Sequence, residues 1–285
     1  MRVFYALCLI AYSLTLSAHQ NHNGLEQNGQ ATATYLGNEA VMVKNGSTKI
    51  VFDPFFHNNF NIYQLVPKDI LAAMFDNNAP YDNIDAIFIS HAHGDHFAAD
   101  QVLKYLKQFP KTKLIAPKQA IDQIKLLEGH ESILPQTTAI DMAYGDPVQN
   151  FEIDKLEVGV VRIPHSGWPT RRLDVSNLVF RVTLDKNTTV MHMGDADPND
   201  VHFKPHDAHW QAQVTDTAFP PYWFFYSTFG PDILDKRINA IEAIGVHVPM
   251  KAPEQLKQTG KPYFSQPGEI KIIQSSKQKT TVKTP

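Results

Sequence analysis

One stretch constrains this chain more than any other: Ile87-Phe88-Ile89-Ser90-His91-Ala92-His93-Gly94-Asp95-His96. The apolar run Ala86 to Ser90 predicts a buried strand, and it delivers three histidines and one aspartate into a turn. In extended backbone His91 and His93 point the same way and can share one cation. The turn at Gly94 swings Asp95 and His96 toward a second position. At this composition a His-x-His-x-Asp-His pattern arises by chance about 0.002 times in the chain. A histidine-rich surface turn is the bland alternative. Neutral imidazole and carboxylate are what zinc takes at about 2.0 to 2.2 Å when no thiolate is at hand.

Composition narrows the frame around that turn. At 285 residues, 43% hydrophobic and 19% charged, the chain is long enough for one domain with a large core. The 26 basic and 29 acidic residues leave a net charge of -3, which gives no electrostatic footprint for nucleic acid. Thirteen histidines and a single cysteine point to imidazole and carboxylate chemistry and away from a disulfide framework. Arg2, the apolar run Val3 to Leu16 and the small residues Ser17 and Ala18 read as a signal peptide over residues 1–18. Fourteen apolar residues are few for a bilayer span, so no stable membrane span is expected after cleavage. The protein is expected to be exported, periplasmic or secreted. Cys8 lies inside the leader, which leaves the mature chain without a thiol.

Residues 19–285 read as one domain, with no repeat or linker and a basic tail at 276–285 that frays. Strands are expected at Ala40–Lys44, Ile50–Phe52, Ala86–Ser90, Leu156–Ile163, Asn177–Leu184, Thr188–Met193, Val214–Ala218 and Glu269–Gln274. Helical spacing marks Lys68–Phe75, Asp100–Phe109, Lys118–Leu127 and Asp232–Ile244.

The histidine turn and three later motifs together resemble the metallo-β-lactamase-fold superfamily, whose pattern continues with an isolated His, a bridging Asp and a closing His at strand ends. His165 in Ile163-Pro164-His165-Ser166-Gly167, Asp195 in His192-Met193-Gly194-Asp195, and His247 in Ile244-Gly245-Val246-His247-Val248-Pro249 match in order. The resemblance implies an α/β four-layer αββα sandwich. It implies one metal on His91, His93 and His165 and a second on Asp95, His96 and His247, with Asp195 bridging. Asp53, in Ile50-Val51-Phe52-Asp53-Pro54, resembles the early strand-end aspartate that supports the ligand loop. Asp197 competes for the bridging role, but the Gly-Asp register favours Asp195.

The activity so implied is that of a binuclear hydrolase with two zinc ions, iron or manganese being the other candidates. A hydroxide shared between the metals would attack an ester, lactone, amide or phosphodiester, with Asp95 as the catalytic residue that orients it. The motif texture is similar to the branch holding ascorbate-phosphate lactonase-like proteins and N-acyl phospholipid phosphodiesterases. A mononuclear iron oxygenase of the persulfide type and a metal-binding module without turnover stay open beside it.

For a small-molecule substrate, two features carry expectations. Arg171 and Arg172 follow His165 closely enough to reach the cleft and pair with an anionic group. The aromatic run Phe219 to Phe229 has neither strand nor helix period, so Tyr222 and Trp223 are expected to form an apolar wall; such a run also suits a contact between subunits, which leaves an oligomer open. Of the remaining histidines, His192 reads as packed in a strand. His202, His206 and His209 lie near the site as candidates for substrate contact, and His19, His22, His57 and His130 read as surface.

Overall fold

The computed structural model describes residues 29–274 and 276. The expected leader, and all of the expected basic tail except Ser276, lie outside them. Two sheets face each other. The first is built from β1 (Thr32–Gly37), β2 (Ala40–Asn45), β3 (Thr48–Phe52), β4 (Ala86–Phe88), β5 (Lys113–Pro117) and β6 (Thr137–Ile140). The second holds β7 (Gln149–Ile153), β8 (Leu156–Arg162), β9 (Leu178–Leu184), β10 (Thr188–His192), β11 (Thr215–Phe219) and β12 (Ala240–Ala243). A last strand, β13 (Ile270–Ile272), returns to the first sheet beside β1, giving the orders β13-β1-β2-β3-β4-β5-β6 and β12-β11-β10-β9-β8-β7. β3 to β6 run parallel, as do β10 to β12, while the remaining neighbours are antiparallel, all of them hairpins except the pair of β1 with β13.

Strand alternation assigns each side chain to a layer. Val41, Val43, Ile50, Phe52 and Phe88 face the other sheet and meet Val158, Val160, Phe180, Val182 and Val190. Their neighbours Met42, Val51, Ile87 and Ile89 face outward and are covered by α1 (Lys68–Phe75), α2 (Ala99–Gln108) and α3 (Lys118–Ile124). Helix α2 buries Val102, Leu103, Tyr105 and Leu106, the three- and four-residue spacing of an amphipathic helix. On the far side Val161, Val179, Met191 and Ala218 pack under Phe203, Trp210 and Phe224. Each fully buried Val, Ile, Met or Phe among them contributes roughly 1.5–3 kcal/mol of transfer free energy. The result is the αββα sandwich.

Some expectations need correction. The periodic stretch Asp232–Ile244 is helical only through Arg237. Asn239 then adopts a left-handed backbone (φ 51°), and residues 240–243 become β12, whose backbone pairs in parallel with β11. Sheet pairing at an open edge overrides the local helical spacing. Strands β1, β5, β6 and β7 escaped the sequence reading. β6 and β7 are edge-ward and polar, with burial too partial to leave a clean apolar pattern.

Candidate metal centre and substrate cleft

The expected site residues sit where strands of both sheets end. β3 runs out into Asp53, and β4 into the loop with His91, His93, Asp95 and His96. β8 leads to His165, β10 to Asp195 and β12 to His247. Long-range bonds lace these loops together. Ser166 N–H donates to the Asp195 carbonyl (2.7 Å) and Asp197 N–H to the Pro164 carbonyl (2.8 Å), which fixes the His165 loop to the Asp195 loop. Asp195 N–H donates to the Asn177 Oδ1 (2.9 Å), and His247 N–H to the Asn38 carbonyl (3.0 Å). Gly194, before Asp195, has φ 52°, and a Cβ there would lie 2.4 Å from the Asn177 Oδ1 and 2.7 Å from the Ser90 Cβ. Only glycine lets this turn approach so closely.

Seven donor side chains converge in two sets. In the first, His91 Nε2 is 3.0 Å from His93 Nδ1 and 3.9 Å from Asp195 Oδ2, and His165 Nε2 is 3.0 Å from that same oxygen. In the second, His96 Nε2 lies 3.6 Å from Asp95 Oδ2 and 3.6 Å from Asp195 Oδ1. His247 Nε2 is 3.5 and 3.1 Å from those two atoms. Donors around a tetrahedral zinc, with bonds of about 2.0 to 2.1 Å, stand about 3.3 Å apart. Both sets bracket that value, and Asp195 offers one oxygen to each. His96 Nε2, His165 Nε2, Asp195 Oδ1 and His247 Nε2 are buried without a hydrogen-bond partner among the described residues. Buried polar atoms are costly when left unpaired, so the cluster fits a pair of cations.

The side chains behind the donors hold most of them in place. Asp53, itself in a left-handed backbone (φ 43°), accepts from Ser90 N–H (2.7 Å) and the Ser90 hydroxyl, and lies 2.9 Å from His96 Nδ1. His91 Nδ1 lies 3.0 Å from the Ser90 hydroxyl oxygen, and His165 Nδ1 donates to the Ser166 carbonyl (2.9 Å).

The two sets differ electrostatically. Burial, with the neighbouring His96 charge second, pushes His91 well below the ordinary imidazole range, and burial likewise lowers His93. Burial also acts against a charge on His96, but Asp195, Asp53 and Asp95 overrule it and raise the imidazole to about 9. For His247 the same contest, between burial and Asp195, ends well above the ordinary value. Asp195 and Asp95 resist burial and stay below the usual carboxylate range because His247 and His96 stand beside them.

A cleft of about 590 Å³ opens over the donors. Arg172 and Trp223 line it, joined by Phe60, Ile62 and Tyr63 from the loop between β3 and α1. Arg172 has a left-handed backbone (φ 56°) and donates from Nη1 to the Ser166 carbonyl (3.2 Å). Trp223 Nε1 donates to the Ala196 carbonyl (3.2 Å), and its ring centroid is 5.4 Å from that of His247. Arg171 is exposed and does not line the cleft, and Tyr222 stands behind Trp223, ring against ring at 5.4 Å. Phe224 and Phe225 are core.

Among the other histidines, His192 is fully buried and stacks on Phe52 at 4.7 Å. His202, His206 and His209 do not line the cleft. His202 is buried against Tyr144, with a 2.9 Å bond to its hydroxyl; its Nε2 lies 3.6 Å from Asp197, which accepts from Gly167 N–H (3.3 Å). Sequence reasoning missed Glu39, Asn38 and Asn177, all fully buried at the back of the cluster, and the wall residues Phe60, Ile62 and Tyr63. Burial raises the Glu39 carboxyl well above the usual range, the facing His96 partly countering it.

Comparison with known proteins identifies the family and the fold. The family model described as a β-lactamase superfamily domain matches residues 32–209, more than half of the chain. No curated protein matches the sequence. Among solved structures, Igni18, a metallo hydrolase from Ignicoccus hospitalis, superposes with a TM-score of 0.53 at 15% identity over 86% of this chain and 99% of its own. An isothiocyanate hydrolase from Delia radicum gut bacteria gives 0.55 at 12% identity over 86% and 100%. A possible metal-dependent hydrolase from Veillonella parvula gives 0.55 at 11% over 85% and 99%. With the family model running from β1 through β10, the chain belongs to the metallo-β-lactamase superfamily.

Proposed function

We propose that the protein is an exported hydrolase with two zinc ions, cleaving an ester, lactone, amide or phosphodiester bond in a small molecule with an apolar portion and an anionic group. The observation that carries this reading is the division of Asp195, whose Oδ2 faces His165 and His91 while Oδ1 faces His96 and His247. His91, His93 and His165 would hold one ion and Asp95, His96 and His247 the other, with Asp195 between them. When bound, such a pair supplies a water that is nucleophilic at neutral pH and an electrophile for the substrate's oxygen.

This chain's own residues would do the rest. Asp95, kept ionised in a nearly closed floor, orients the attacking water and takes its proton. Asp53 fixes the His96 ring through Nδ1, so that Nε2 faces the cluster. Among the described residues the Arg172 guanidinium is the one arginine on the cleft wall, placed to pair with a carboxylate or phosphate. Phe60, Ile62 and Trp223 give the opposite chemistry, an apolar surface for an acyl or hydrocarbon portion. Export is supported by the apolar run Val3 to Leu16 before Ser17-Ala18. Among the described residues no helix is long and apolar enough to cross a membrane.

The test uses protein beginning at His19. Elemental analysis is combined with a panel of neutral and anionic esters, lactones, amides and phosphodiesters. The expected result is two zinc ions per chain and turnover that a chelator removes and zinc restores. One iron per chain without hydrolysis would favour the oxygenase reading, and metal without any turnover would favour a binding module.

A further inference from the structure

Glu39 is the least explained side chain in the molecule. It lies at the tip of the β1–β2 hairpin, yet is fully buried, and neither carboxylate oxygen has a hydrogen-bond partner among the described residues. Oε2 stands 3.6 Å from His192 Nε2 and 3.9 Å from His96 Nδ1, beyond bonding distance for both. His192 instead bonds the Glu39 carbonyl (3.0 Å), and His96 bonds Asp53. Both of those nitrogens are thus taken by partners other than the carboxylate.

His247 offers a nitrogen that is not so taken, although it stands farther from the carboxylate than His192 or His96: its Nε2 faces Asp95 and Asp195, and its Nδ1 is buried without a partner among the described residues. His91, His96 and His165 each have their rear nitrogen held by a hydroxyl, a carboxylate or a carbonyl; His247 is the exception. A ligand oxygen of Glu39, a ring nitrogen of His247 and an oxygen of Asp195 lie within 4.8 Å of one another. The hairpin tip is also tied to this residue directly, since His247 N–H donates to the carbonyl of Asn38, next to Glu39.

Resting on the reading of the cluster as a metal centre, we propose that Glu39 is the positioning residue of the second metal position. It accepts a hydrogen bond from His247 Nδ1–H when that position is filled, as Asp53 does for His96. Two buried carboxylates would then back the second position, where the first has none. Loss of such a rear partner typically weakens metal binding 10- to 100-fold.

The test compares full-length wild type, Glu39→Ala and Glu39→Gln. Zinc affinity is measured by competition with a chromophoric chelator, zinc is counted per chain, and the metal-free proteins are melted. The expected result is two zinc ions in wild type, with one of them weakened about 10- to 100-fold in E39A and the other unchanged. E39Q, whose amide oxygen accepts the same bond, recovers most of the affinity, and its metal-free form melts at or above wild type. Two ions bound by E39A as tightly as by wild type would overturn the proposal. So would equal weakening of both ions in both variants with a lower metal-free melting temperature, which would assign Glu39 to packing alone. A wild-type chain that binds no zinc overturns the metal reading and this inference with it.

Discussion

The two halves of the donor cluster are built from the same residue types and behave oppositely. His91 and His93, backed by serine or lying toward the cleft, are driven toward the neutral imidazole that a metal requires. His96 and His247 are as deeply buried, but Asp53, Asp95 and Asp195 stand around them and favour the charged form. The chemistry of a histidine is therefore set less by its burial than by the count of carboxylates within reach. The first half is poised for a cation as it stands; the second must exchange protons for one.

The comparison breaks most completely at the residue both halves share. Asp195→Ala removes a donor from each set, so both metals should be lost and turnover should fall at least about 10³-fold, checked by elemental analysis and steady-state rates. Full turnover with two retained metals would show that the halves do not depend on Asp195.

Splitting the halves gives the next effect. His165→Ala should empty only the first position and His247→Ala only the second, each leaving one metal per chain and abolishing activity. His130→Ala, at a half-buried helix start away from both sets, should change neither.

A pH series sharpens the contrast without mutation. His96 is raised from an ordinary value near 6.5 to about 9 in the folded metal-free protein. Its charge therefore contributes stability that is fully present below about pH 6.5 and is lost as pH rises through about 9. Glu39 acts in the same direction, because its raised pKa favours the neutral acid and ionising it at higher pH costs stability. The metal-free protein should melt lower as pH climbs through that window. In the same window the second zinc, competing with protons on His96 and His247, should bind more tightly, while the first stays nearly constant. Parallel pH profiles for the two ions would contradict the assignment of opposite shifts.

The smallest effects belong to the cleft wall. Arg172→Gln should raise KM for anionic substrates about tenfold and leave neutral ones unchanged, and Trp223→Ala should do so for long acyl chains but not short ones. Equal losses for every substrate would point to a disturbed His165 loop or core.

How legible this was depends on the reach of each interaction. The His91 to His96 segment combines a strand period with a metal-ligand spacing, so its local geometry could be read directly. His165, Asp195 and His247 needed the resemblance, because nothing within ten residues of each reveals its partner. Glu39 left no signal. A Gly-Asn-Glu turn between two strands reads as a solvent-facing hairpin tip. It is buried only because the loop at Leu65–Val66 closes against Gly37 and the His247 backbone docks on Asn38. Arg171 and Arg172 are indistinguishable in sequence, and the left-handed backbone at Arg172 separates them in space. The helical spacing of Asp232–Ile244 was real in pattern but lost to the open edge of β11.

On the proposed reading, two cations sit on either side of Asp195. Anomalous scattering at the zinc edge from crystals of the zinc-loaded protein tests it directly. Two peaks are expected, one among His91, His93 and His165 and one among Asp95, His96 and His247. A single peak, or two that leave either of those sets without a metal, would contradict it.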